Sequence, residues 1–123
     1  MLGTGCSGES AVAEPCLFCE IVSGRVPARR VYEDERVLAF HDINPMAPVH
    51  VLVVPKVHIS CAADDPGSEV WGAVMDGAVR VAELLGVSGG YRLVVNSGEQ
   101  AGQTIPHLHV HVLAGRRFNW PPG

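Results

Sequence analysis

Apolar residues recur along this 123-residue chain with two periods. Val70, Trp71, Val74, Ala78, Val81, Ala82 and Leu85 fall three and four residues apart. That spacing draws one apolar stripe along a long amphipathic helix, ended by Gly86. Asp65 is its expected cap, with Pro66 at the first helical position. Elsewhere the apolar runs are short and bounded by turn residues. They predict strands over 30–33 and 36–41, joined by the turn Glu33-Asp34-Glu35, and over 49–54, 91–96 and 107–113. Cys16 to Gly24 reads as a short helix with Gly24 as its C-cap. Pro45 and Pro48 keep 42–48 out of any central strand. The order helix, hairpin, strand, long helix, two strands predicts an α+β domain on an antiparallel five-stranded sheet.

Hydrophobic residues make up 47% of the chain and charged residues 18%, which is globular composition. One domain over 15–123 is expected, after a loose Gly- and Ser-rich tail over 1–14. The net charge of −4, without a basic stripe, argues against nucleic acid as partner. No apolar run approaches the ~20 residues that span a bilayer, so no membrane partner is expected. The N-terminus lacks the pattern of a signal peptide, and the expected location is cytoplasmic. In that compartment Cys16-x-x-Cys19 points to a metal or redox role rather than a disulfide. Cys6 and Cys61 suggest no role.

The chemistry concentrates in His107-Leu108-His109-Val110-His111. Strand side chains alternate between faces, so the three imidazoles share one face and the apolar partners the other. On a helix, steps of two residues would scatter them. Converging imidazoles serve a metal, or nucleophilic and acid–base catalysis, and spacing does not choose between these. The adjacent loop carries Asn96, Ser97, Gly98, Gly102, Gln103 and Thr104. Its small turns, amides and hydroxyls can present N–H donors to phosphate oxygens.

The run His-apolar-His-apolar-His-apolar-apolar over 107–113 resembles the signature of the histidine triad superfamily. Phe40-His41-Asp42-Ile43-Asn44-Pro45 and the stretch from Pro48 to Ile59 resemble its other conserved segments. Trp120-Pro121-Pro122-Gly123 resembles the C-terminus of its nucleotide-binding, phosphoramidase-type branch. The resemblance covers about residues 15 to 123. It implies a purine nucleotide substrate (AMP- or GMP-like), cleaved at the α-phosphate through a nucleotidyl-histidine. His109 would be the nucleophile, His111 the phosphate contact that assists the leaving group, and His50 a further group on the phosphate side. Gly102, Gln103, Thr104 and Asn96 would lie at the phosphate. Phe18, Phe40, His41 and Ile43 would hold the base, and Asp42 the ribose hydroxyls. A homodimer with a continuous sheet is also implied.

Two features depart from that branch. The cysteine pair is similar to that of superfamily members with a structural zinc. The resemblance then implies Cys16, Cys19, His58 and His107 as ligands, a closed Cys₂His₂ set. Pro106 stands where the branch often has an aromatic, and without an N–H it alters entry into the last strand. Cleavage of nucleoside 5′-phosphoramidates is the leading expectation. Dinucleoside polyphosphate hydrolysis, a nucleotide-binding scaffold with little turnover, and a catalytic metal centre in the histidine run are the alternatives.

Overall fold

A computed structural model describes residues 16–123; the tail expected over 1–14, with Cys6, lies outside the described residues. The sheet has five strands: β1 (Arg30–Glu33), β2 (Val37–His41), β3 (Val49–Pro55), β4 (Tyr91–Val94) and β5 (Val110–Ala114). All neighbouring pairs are antiparallel, in the order β1-β2-β3-β5-β4. Among the described residues, one short helix, α1 (Leu17–Val22), and one long helix, α2 (Ser68–Leu84), pack on the sheet. The expected α+β architecture is therefore present.

The two faces of the sheet divide the core. Val37, Ala39, Val51, Val53, Val110 and Val112 pack with Val74, Ala78 and Val81 of α2. The alternate residues Leu38, Phe40, Leu52 and Val54 pack with Phe18 and Ile21 of α1. Helix α2 lies so close to the sheet that a Cβ on Gly77 would stand 3.0 Å from Val53 Cγ1 and 3.1 Å from Val37 Cγ2. The face under α1 carries the histidines, because β5 places His111 opposite Leu52 and β3 places His50 opposite Leu113.

Several boundaries differ from the expected ones. The last strand starts at Val110, not residue 107. Pro106 has no N–H to give, and His107 N–H turns back onto Ile105 O at 2.8 Å. His107 thus sits in a bend ahead of the strand, and the three imidazoles do not line one strand face. Strand β4 ends at Val94 rather than 96 because its ladder runs out opposite His111. Strand β2 begins at Val37 rather than 36, where Asp34 Oδ1 accepts the N–H of both Arg36 and Val37 and closes the hairpin. Pro55 is the last residue of β3 rather than its stop.

Asp65 does not cap α2. It adopts a left-handed conformation (φ 58°) at the end of a 3₁₀ turn, so Pro66 precedes the helix and Gly67 is the N-cap. Both helices close with the same C-terminal motif. After α1, whose C-cap is Ser23, Gly24 N–H reaches Ile21 O and Arg25 N–H reaches Glu20 O. After α2, whose C-cap is Leu85, Gly86 N–H reaches Glu83 O and Val87 N–H reaches Ala82 O. No helix of the described residues is long and apolar enough to cross a membrane.

Candidate functional site

The cysteine pair owes its geometry to the start of α1. Cys16 is the N-cap and its sulfur accepts the Cys19 N–H at 3.4 Å, which sets both sulfurs at one end of the helix. His107 reaches them from the bend before β5: its Nδ1 lies 3.3 Å from Cys16 Sγ and 3.5 Å from Cys19 Sγ. His58, beyond β3, places its Nδ1 3.3 Å from Cys19 Sγ and 3.2 Å from His107 Nδ1. His107 is fully buried, and its Nε2–H donates to Pro55 O at 2.9 Å. In the neutral ring this leaves a lone pair on Nδ1, aimed at the sulfurs. Burial and the adjacent Cys16 push the Cys19 thiol up to about 11. Two sulfurs and two ring nitrogens packed this tightly could hold one metal ion among them. A tetrahedral zinc with Zn–S near 2.3 Å and Zn–N near 2.0–2.1 Å has ligand–ligand edges of about 3.3–3.8 Å. The observed spacings fit that ion, and the four residues implied by the resemblance converge.

A second cluster lies on the other side of His107. His109 Nδ1–H donates to the carbonyl of His107 at 2.7 Å, so Nε2 keeps its lone pair. Met46 N–H donates to His50 Nδ1 at 3.0 Å, which puts the proton of neutral His50 on Nε2. That Nε2–H faces His111 Nδ1 at 2.9 Å and Asp42 Oδ2 at 3.4 Å. His111 Nδ1 is then an acceptor, and its proton sits on Nε2. Burial holds all three rings below the usual histidine range, His111 at about 4, so they are neutral at pH 7.

These histidines border a cavity of about 450 Å³. Phe18 and Phe40 form its aromatic side, edge-to-face at 5.5 Å, and Phe18 also meets the His109 ring edge-to-face at 5.1 Å. His41, Asp42, Ile43 and Thr104 line it as well, Ile43 being 99% exposed at the rim. Asn96, Gly102 and Gln103 are not among the lining residues. Gln103 ties the loop together instead: its amide donates to Ser60 O and Ile105 O and accepts from Gly98 N–H. Leu17 and Ile21, which line the cavity beside Phe18, were recoverable from their helical spacing. Met46 was not, since it acts through its backbone N–H.

A model of the HIT domain, the histidine triad, matches residues 23–118. The chain belongs to the HIT domain family. A HIT family hydrolase from Legionella pneumophila Philadelphia 1 has a similar structure, with TM-score 0.85 and 46% identity over 89% of this chain and 100% of that one. A 14 kDa zinc-binding protein of Zea mays is 44% identical, over 89% of this chain and 88% of that protein. The adenylylsulfatase HINT1 of Arabidopsis thaliana is 41% identical, over 89% and 77% respectively.

Proposed function

We propose that this HIT protein is a purine nucleotide hydrolase that cleaves nucleoside 5′-phosphoramidates at the α-phosphate through a nucleotidyl-His109 intermediate. One observation carries the reading. The His107 carbonyl fixes the His109 proton on Nδ1, so an unprotonated Nε2 borders an apolar cavity with aromatic walls. The base enters between Phe18, Phe40 and Ile43, with His41 alongside, and Asp42 takes the ribose hydroxyls. The Gly102 amide, Gln103, Thr104 and Asn96 stand on the loop that borders the phosphate.

His109 Nε2 attacks phosphorus and the P–N bond breaks. The departing nitrogen leaves as the amine with a proton from solvent, while neutral His111 keeps its Nε2–H and donates it as a hydrogen bond to the reacting phosphoryl group. Water then attacks the nucleotidyl-imidazolium and gives up a proton to solvent, and the nucleoside monophosphate leaves His109 neutral. His50 orients His111 through the Nε2–H···Nδ1 bond. A metal bound between Asp42, His50 and His111 fits poorly, because His50 Nε2 already carries the proton. Zinc belongs at Cys16, Cys19, His58 and His107, where it supplies structural cross-linking. We also propose a homodimer with a continuous sheet, on the family resemblance.

A second reading, in which the leaving group is sulfate, is favoured by the adenylylsulfatase relative. Rapid quenching with an adenosine 5′-phosphoramidate and with adenylyl sulfate, followed by peptide mass analysis, tests both. An adenylyl adduct on the His109 peptide is expected. Turnover with no adduct there, or persistent turnover in His109→Ala, contradicts the mechanism.

A further inference from the structure

Helix α1 has six residues, Leu17–Val22. Isolated helices shorter than about 12–15 residues are marginal in water, so this one depends on what holds it from outside. Its position matters to the cavity. Leu17, Phe18 and Ile21 line one wall, and Phe18 meets the ring of His109. Near the C-terminal end of α1, Arg30 Nη2 donates to Ile21 O at 2.8 Å. At the other end, Cys16 and Cys19 turn their sulfurs toward His58 and His107. A metal among these four ties the start of α1 to the segment after β3 and to the approach to β5.

The four side chains are not equally protected. His107 is fully buried, whereas Cys16, Cys19 and His58 are half-buried. The two cysteines therefore lie on the open side of the centre, and their sulfurs are its most readily oxidised atoms. These sulfurs lie within 4.8 Å of each other, near enough for side-chain rotation to join them. A disulfide between residues 16 and 19 spans only the first turn of α1 and ties it to neither neighbouring segment. The ligand form of cysteine is the thiolate, so the disulfide and the four-ligand tie exclude each other.

We propose that Cys16 and Cys19 form a peroxide-sensitive switch on the cavity: oxidation to the disulfide releases zinc and unfastens α1. Its effect on nucleotide rests on the purine nucleotide reading above. Zinc keeps both sulfurs as thiolates. One thiolate attacks hydrogen peroxide, the O–O bond breaks, and a sulfenic acid and a hydroxide form. The second thiolate attacks the sulfenic sulfur, the S–O bond breaks, and a second hydroxide leaves with the disulfide formed. Two thiolates are oxidised, one peroxide is reduced, and zinc departs as Zn²⁺. Phe18 and Ile21 are then no longer held against Phe40 and Leu52, and one wall of the cavity is lost. A thiol reductant followed by zinc restores it.

The test treats the full-length, zinc-loaded protein with hydrogen peroxide. Zinc release, read with a metallochromic dye, should match formation of a Cys16–Cys19 disulfide peptide, lighter by the two thiol hydrogens. Hydrogen exchange should speed up in α1 and leave α2 protected. With α1 ordered in about a tenth of the oxidised molecules, the Kd for AMP rises about tenfold. Dithiothreitol with zinc should reverse all of this, and chelation under reducing conditions should weaken AMP binding by the same factor. Zinc retained in peroxide, zinc lost without that disulfide, or exchange that speeds up throughout the chain overturns the switch. So does an AMP affinity that survives zinc release, and each of these leaves the nucleotide reading in place. Failure of the reduced, zinc-loaded protein to bind AMP overturns the nucleotide reading, and the control of nucleotide binding with it.

Discussion

His58 and His107 face two sulfurs, whereas His50, His109 and His111 face a cavity. The two groups are built from the same residue type and meet at residue 107, whose ring belongs to one and whose carbonyl serves the other. They differ in where the protons sit. Pro55 O takes the His107 Nε2–H and leaves Nδ1 open toward the cysteines. His107 O takes the His109 Nδ1–H and leaves Nε2 open toward the cavity. Met46 N–H occupies His50 Nδ1, which makes His50 a donor and His111 Nε2 the outward proton. The lesson is that the group behind an imidazole, a backbone one for His50, His107 and His109, decides whether its front atom binds a cation, attacks or donates a hydrogen bond.

The largest effect should come from separating the two clusters at His109. His109→Ala should lower hydrolysis by at least about 10³-fold with metal content and fold intact. Metal analysis beside a turnover assay checks this, and loss of metal in that variant would break the division. Next in size, Cys19→Ser should empty the metal centre and lower Tm by about 10 °C, since a four-ligand cross-link between α1, the segment after β3 and the approach to β5 is lost. Because the His107 carbonyl orients His109, turnover by the folded fraction should fall about tenfold too. Unchanged metal content and Tm would show that the four residues do not act as ligands.

Titration sharpens the comparison from the cavity side. His111 is held at about 4 by burial and by His109 and His50, against an ordinary value near 6.5. Between those values the unfolded chain binds more protons than the folded one, so stability increases with pH across that window. The contribution of neutral His111 is whole above pH 6.5 and is lost as pH falls toward 4. His50, lowered chiefly by burial, acts in the same direction. Denaturant midpoints of wild type and His111→Asn should converge on acidification, and a constant gap would contradict it. The smallest expected effect is that of Gln103→Ala. Loosening the loop that carries Thr104 should raise KM several-fold and leave metal content alone; an unchanged KM would detach Gln103 from the site.

Much of this was legible in the sequence because alternation and helical spacing report burial directly. The five strands and two helices of the described residues follow from them. Convergence of Cys16, Cys19, His58 and His107 was legible only through the resemblance, since their separation along the chain carries no distance. What stayed hidden is of another kind. The start of β5 depends on what Pro106 forces on its neighbours, and the left-handed Asp65 displaces a cap that its residue type would suit. Met46 acts through an N–H that every residue but proline possesses. Gln103 lies on the expected loop, yet its amide fastens Gly98, Ser60 and Ile105, a partnership among backbone groups that no side-chain pattern reveals.

Where the protons sit can be read directly. Long-range ¹⁵N–¹H correlation spectra of the zinc-loaded protein at pH 7 report the tautomer of each histidine ring. The expected result is a proton on Nδ1 of His109 and on Nε2 of His50, His107 and His111. A proton on Nε2 of His109 would leave no lone pair toward the cavity, and would contradict the assignment of that residue as the nucleophile.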